Sequence, residues 1–271
     1  MKLASIHRYP VKSTMGHEVR SAEVLPWGLA GDRRYLVTDA DGRMLTARVH
    51  PRLLTCRADL DGDTITLTAP GLSPLKVSPS AATRTIDVWD DPVELTDCGE
   101  EAAAWLGELL GLPARLAWLD DPTRRPVDPE YGRADDRVSL ADGYPVLLAS
   151  TASMARLNDW IAETALELGE EPQPPLPIER FRANLVVEGV DEPFAEDSWT
   201  RVRVGEVEFR VVKGCDRCAL PTIDLSTLRK SKEPTRTLAR HRRWAGKVWF
   251  GMNLIPDTTG EIRAGDPVIP V

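Results

Sequence analysis

Only four cysteines occur in 271 residues, too few for a disulfide scaffold and in keeping with a reducing compartment where thiols stay available for chemistry. Histidine is as scarce, and His7, His17, His50 and His241 show none of the paired spacing that zinc ligands use. No stretch approaches the roughly 18 apolar residues of a membrane span. The start, Met1-Lys2-Leu3-Ala4-Ser5-Ile6-His7-Arg8, lacks the apolar centre of a signal peptide. There is no G-x-G-x-x-G and no P-loop, which removes the usual nucleotide and flavin sites. No internal repeat and no βαβ alternation are visible, which disfavours a doubly wound fold. With 34 basic against 42 acidic residues the net charge is −8, opposing general attraction to nucleic acid or anionic membrane. Any basic site is therefore local.

What is present reads as mainly β, an α+β chain with a few peripheral helices. Hydrophobic content of 42% supports a real core. Short β-like runs at 3–6, 18–25, 34–37, 53–60, 64–68, 85–88 and 93–96 are punctuated by Gly16, Gly31, Asp41-Gly42, Asp61-Gly62-Asp63 and Pro70-Gly71, the pattern of hairpins. Ala102, Trp105, Leu106, Leu109 and Leu110 keep helical spacing over 98–112, ended by Gly111 and Pro113. After a strand at 115–119 and a polar loop at 120–136, a second helix begins at Ser150 or Thr151, with Met154, Leu157, Ile161, Ala165 and Leu168 on one face. Ser150 and Ser153 serve its start. The proline-rich run 170–177 is an extended connector. Strands follow near 184–188, 201–204, 206–212 and 247–254, with a charged helix over 233–242. The tryptophans are expected in the core or at domain contacts.

The chemistry gathers at Val211-Val212-Lys213-Gly214-Cys215-Asp216-Arg217-Cys218-Ala219-Leu220-Pro221-Thr222-Ile223-Asp224. Val207, Phe209 and Val211 alternate with Glu206, Glu208 and Arg210 as a half-buried strand that is expected to run out at Gly214 into a turn. Cys215 and Cys218 form a C-x-x-C, which suits structural zinc, a dithiol redox pair, one thiolate on a soft metal, or two cysteines that merely close a turn. Cys56 and Cys98 stand apart from it. Pro221 discourages the helix a thioredoxin-like pair would open.

This segment resembles the cysteine motif of MOSC-domain proteins, the molybdenum-cofactor group that includes the amidoxime-reducing enzymes of mitochondria and their bacterial relatives. Further pieces follow the family's order: Tyr9-Pro10-Val11-Lys12-Ser13, Gly31-Asp32-Arg33-Arg34-Tyr35, Thr46-Ala47-Arg48, Ala141-Asp142-Gly143-Tyr144-Pro145, Phe181-Arg182-Ala183-Asn184, Glu196-Asp197-Ser198-Trp199 and Gly265-Asp266-Pro267-Val268. The resemblance implies an N-terminal MOSC β domain at 1–119 and a barrel-like MOSC domain at 120–271.

It also implies Mo-molybdopterin, which needs a soft ligand at the metal and rigid donors for pterin and phosphate. Cys218 aligns with the family's metal-ligating cysteine, and a thiolate suits a high-valent metal. Cys215 matches a cysteine of some relatives without being the aligned ligand. Lys12 and Ser13 align with a cofactor-contacting segment; Arg33 and Arg182 are cations able to fork onto phosphate, and Asn184 both donates and accepts. Asp142, Gly143 and Tyr144 form a turn that meets the cofactor in the family, with Gly143 admitting close approach of a backbone amide. Asp216 and Arg217 would lie beside the metal, Asp216 standing where mitochondrial relatives have serine and offering a proton relay.

The implied activity is reduction of N-hydroxylated compounds such as hydroxylamines, amidoximes and N-hydroxylated bases. Electrons would come from a separate donor, ferredoxin-like or flavoprotein, since the cysteines of a fused iron–sulfur domain are missing. The basic run Arg229, Lys230, Lys232, Arg236, Arg240, Arg242 and Arg243 is either a dock for an acidic donor or a solvated helix face. The N-terminal anchor of the mitochondrial relatives is not seen, so a cytoplasmic form without a membrane is expected. A carrier or sulfur-transfer module using a Cys218 persulfide, and a non-catalytic β protein, remain as other readings.

Overall fold

The computed structural model describes every residue of the chain except Asp63, Ser80, Ala81 and Asp90; the expected Asp61-Gly62-Asp63 turn therefore lies partly outside the described residues. Backbone contacts divide the chain into two compact units. One consists of Met1–His7, Glu18–Pro26 and Val146–Val271, the other of Arg8–His17 and Trp27–Pro145.

In the second unit, alternating apolar residues build an antiparallel sheet in the order Thr83–Val88, Asp91–Asp97, Arg115–Trp118, Tyr35–Thr38, Met44–Leu45. Its buried face is a cluster of Leu36, Ile86, Val88, Val93, Leu95, Ala117, Leu119 and Leu140, apolar area whose removal from water stabilises the sheet. A smaller sheet joins Arg57–Asp61, Thr64–Thr68 and Leu75–Val77. The expected strand at 53–60 is half wrong: Pro51–Thr55 winds as a 3-10 helix, because Pro51 in its first turn presets a helical φ and has no N–H to lose. Helix α1, Gly99–Leu110, buries Ala102, Trp105, Leu106 and Leu109 and ends at Gly111 with φ 74°, the left-handed C-cap that glycine tolerates.

The first unit is built on a sheet that runs Lys2–Arg8, Leu185–Glu188, Val146–Ser150, Lys247–Pro256, Val207–Asp216, Arg201–Val204, Val268–Pro270. Leu148 pairs with Leu185 in parallel, so 146–150, helix α2 (Thr151–Glu167) and 185–188 make a single βαβ crossover. The sequence pattern did not reveal it, because one unit produces no alternation. Inward residues of α2, Met154, Leu157 and Ile161, pack on Leu147, Ala149, Phe181, Val186 and Phe250. Leu238 of helix α3, Thr235–His241, joins the same cluster.

Buried polar groups fix the start of α2. Ser150 Oγ accepts the Ser153 N–H at 3.1 Å, as an N-cap should. Both hydroxyls then donate to the buried Glu196 carboxylate, at 3.0 Å from Ser150 and 2.6 Å from Ser153. Two tryptophans depart from the expected burial: Trp89 is 40% exposed and Trp244 47%. Among the described residues no helix is long and apolar enough to cross a membrane.

Candidate functional site

In the second unit the turn after Lys2–Arg8 is woven into its neighbours by backbone bonds. Arg33 N donates to Tyr9 O at 2.8 Å, Lys12 N to Tyr35 O at 2.7 Å, and Leu140 N to Arg33 O at 2.8 Å. Asp32 Oδ1 accepts the Tyr9 N–H at 2.8 Å. Ser13 and Arg33 are held at φ 68° and 47°, in the left-handed region that side chains with a Cβ rarely occupy. Such strain concentrates at functional sites, where the surrounding structure over-determines it.

These constraints draw three sequence-predicted residues, Lys12, Arg33 and Asp142, together with Arg48 and Arg125. Lys12 Nζ donates to Leu140 O at 2.8 Å and pairs with Asp142, whose other oxygen receives Arg48 Nη2 at 3.0 Å. Arg33 pairs with Asp32 and lies 4.7 Å from the Tyr9 ring. Arg125 Nη1 donates to Ala141 O at 2.6 Å. The Trp89 ring lies 4.5 Å from Arg48 and 5.5 Å from Lys12. Lys12, Arg33, Arg48 and Arg125 thus gather about Asp32 and Asp142, a local excess of positive charge in a chain of net charge −8.

The charges are felt locally. Burial lowers the Lys12 ammonium to about 8; Asp142 opposes this while Arg125 and Arg33 reinforce it. Crowding by itself would raise the Asp142 carboxyl, but Lys12, Arg48 and Arg33 outweigh it and hold the group below the usual carboxylate range. The Asp142 side chain is also 61% open to solvent. Beside it, a Cβ built on Gly143 would meet no protein atom within 4 Å, so the protein's own packing does not require glycine there. Tyr144 is buried against the edge of Tyr131. Arg48, Arg125 and Trp89 were not assigned to the site from sequence; Arg48 sits in the Thr46-Ala47-Arg48 piece, which was its one available signal.

In the first unit the cysteine segment differs from expectation. The strand does not run out at Gly214 but continues to Asp216, because register shifts at Val211/Lys213 and Gly214/Asp216 let it stay paired with Lys247–Pro256, as β-bulges do. Cys218 follows on the exposed side, its Sγ receiving the Leu220 N–H at 3.5 Å. A 3-10 turn, Leu220–Thr222, then takes Pro221 as its second residue. Burial pushes the Cys56 and Cys98 thiols up to about 12, which leaves Cys215 and Cys218 as the chemically accessible pair.

Arg217 serves Cys215 rather than Cys218: Nη1 lies 2.9 Å from Cys215 Sγ and Nη2 donates to Phe181 O at 2.8 Å. Asp216 Oδ2 faces Lys247 Nζ at 3.3 Å. Arg182 is the third candidate in the left-handed region, at φ 58°, and is largely buried. The Asn184 side chain is engaged by the backbone. Its Nδ2 donates to His7 O at 3.1 Å and its Oδ1 accepts the Leu147 N–H at 3.2 Å, so the side chain ties together three strands. Much of the basic run is neutralised: Arg236 pairs with Glu233 and Glu170, Arg240 with Glu167, and Arg242 with Asp197. Among the described residues no three His, Cys, Asp or Glu side chains group to hold a metal ion.

Residues 1–113 match the MOSC N-terminal beta barrel domain and residues 135–269 the MOSC domain. Human mitochondrial amidoxime-reducing component 1 is 34% identical over 98% of this chain and 82% of its own length. The chain belongs to the MOSC family of the amidoxime-reducing components. Rat mitochondrial amidoxime reducing component 2 is 32% identical over 96% of this MOSC chain and 80% of its own length. Zebrafish (Danio rerio) molybdenum cofactor sulfurase is 34% identical over 93% of the chain, which spans 31% of that protein. The mainly β fold and the family resemblance read from sequence are both borne out. The expected cytoplasmic location is overturned, because relatives matching nearly the whole chain are named as mitochondrial. Location is written in receptor-read address segments, which the packing of a MOSC fold does not encode.

Proposed function

We propose that this protein is an oxidoreductase that carries the molybdenum cofactor and reduces N-hydroxylated compounds to amines or amidines. The observation that carries the reading is similarity over 98% of the chain to a relative named for amidoxime reduction. The donor set fits the cofactor: an exposed thiol, Cys218, for a soft metal, and a cluster of guanidinium and ammonium groups for a phosphate dianion. The family domains are taken as 1–119 and 120–271, a boundary in the stretch that neither match covers.

In this reading Cys218 is the metal ligand. Lys12 and Arg33, with Arg48 and Arg125, hold the phosphate, and the Ser13 hydroxyl and the Asp142-Gly143-Tyr144 turn supply further donors. Arg182 and Asn184 frame the pterin side, Arg182 by charge and Asn184 by holding the strands beside it. Arg217 fixes the cysteine segment through Cys215 and Phe181. When bound, the cofactor would supply the two-electron redox chemistry needed to cleave the N–O bond. Asp216, at the end of its strand and paired with Lys247, is the proposed carrier of the protons that leave in water. The balance is R–NHOH + 2e⁻ + 2H⁺ → R–NH₂ + H₂O, with the electrons from a separate ferredoxin-like or flavoprotein donor.

Elemental analysis and turnover test this directly. Wild-type protein made in a host that synthesises the cofactor should hold molybdenum and reduce benzhydroxylamine with a chemical donor, whereas Cys218→Ala should lose both. Wild type without molybdenum or turnover ends the proposal. Similarity to a molybdenum cofactor sulfurase supports a second reading, sulfur transfer through a Cys218 persulfide; sulfane sulfur released by a thiol reductant from metal-free wild type, and not from Cys218→Ala, would favour it.

A further inference from the structure

Next to the cysteine segment, residues 243–248 form a tight hairpin in which Arg243 pairs with Val248 and Trp244 with Lys247. Its turn residues Ala245 and Gly246 have φ 49° and 74°, the doubly positive geometry that matches strand twist. Arg243, Trp244 and Lys247 are all exposed. Trp244 nevertheless does not swing free. Its ring stacks on Trp249 at 5.6 Å with an interplanar angle of 14°, the Arg242 guanidinium lies 4.9 Å from it, and Trp249 Nε1 donates to Trp244 O at 3.0 Å. An indole 47% exposed yet pre-oriented from beneath is the kind of group that anchors protein interfaces, because little side-chain freedom remains to be lost on binding.

The hairpin is continuous with the candidate metal ligand's segment. Trp249 lies opposite Asp216 in the strand pairing, Arg217 N donates to Val248 O at 2.8 Å, and a Cβ at Gly214 would stand 3.1 Å from the Trp249 ring. Charge sets the partner. The basic residues of helix α3 are spent on Glu167, Glu170 and Glu233, while among the described residues Arg243 has no carboxylate partner.

We propose that the 243–248 hairpin is the docking site of the electron donor, a small acidic one-electron protein that seats on Trp244 and Arg243. The proposal rests on the reductase reading and deepens it by naming the surface and the donor's charge. Each donor molecule gives up one electron, so two are oxidised for every N–OH reduced to N–H, with two protons taken up and one water released. The patch is small, as transient redox encounters are, and opposite charge raises their association rate in a salt-dependent way.

The experiment compares wild type, Arg243→Glu and Trp244→Ala, all loaded with cofactor, in benzhydroxylamine reduction driven by reduced methyl viologen or by a reduced plant-type [2Fe–2S] ferredoxin, an acidic protein. With viologen the three should agree within about twofold. With ferredoxin, Arg243→Glu should raise the KM for the donor by roughly tenfold and flatten its increase with salt, and Trp244→Ala should raise it by a similar factor. Equal ferredoxin KM values in all three, a wild type driven by viologen but not by ferredoxin, or equal losses with both donors would each overturn the dock. A wild type that viologen cannot drive overturns the reductase reading and takes the dock with it.

Discussion

Lys12 shows how much of the site depends on one protonation. Its ammonium is lowered from an ordinary 10.5 to about 8 by burial, so between those values the unfolded chain binds more protons than the folded one. The contribution of this residue to stability therefore rises with pH across that window and is unfavourable below it. Anion binding runs the other way, because it needs the charged form. Sulfate stays a dianion throughout this range, and calorimetric titration of cofactor-free protein should show its affinity falling by roughly tenfold between pH 7 and 9.5, about the worth of a charge-assisted hydrogen bond. Lys12→Met should bind sulfate weakly and without that pH step. The thiols give an independent check: Cys215 and Cys218 should react with a thiol reagent in the native protein, and Cys56 and Cys98 after unfolding. Lys12, Arg33, Arg182 and Cys218 were legible as candidates because each lies in a motif. Arg125 lies in none of these motifs, and Arg48, although within the Thr46-Ala47-Arg48 piece, takes its role from Asp142, 94 residues away.

The start of helix α2 is a buried polar network with one acceptor at its centre. Glu196 is 1% exposed and receives both Ser150 and Ser153, while Ser153 Oγ also accepts the Phe194 N–H at 2.7 Å. Glu196→Ala leaves those hydroxyls without their acceptor and should cost about 2–3 kcal/mol in urea unfolding, with Glu196→Gln less damaging because it still accepts. A loss below the error of the measurement would show that water satisfies the hydroxyls instead. The helix and its serine cap could be read from periodicity and residue type. The carboxylate that completes the cap could not, because it arrives from 46 residues away.

The path of the chain makes the first unit discontinuous. Strand Lys2–Arg8 lies against Leu185–Glu188, with Leu3 opposite Val187 and Ile6 opposite Leu185, and both Leu3 and Ile6 are fully buried. A fragment comprising 146–271 lacks that strand and exposes an apolar sheet edge. It should aggregate or fail to give native-like circular dichroism and cooperative unfolding. A cooperatively folding, monomeric fragment would mean that the first strand is dispensable to this unit.

The sequence alone determined the mainly β character, the two long helices, the family and the C-x-x-C pair as the place of the chemistry to be tested, because alternation, capping residues and motif spacing are local properties. The tertiary structure decided the βαβ crossover, the continuation of the cysteine strand past Gly214, the tying role of Asn184 and the clustering of Arg48 and Arg125 with Lys12. Each of these depends on pairing or charge between residues far apart in the chain, and such partners leave no periodic trace in either segment.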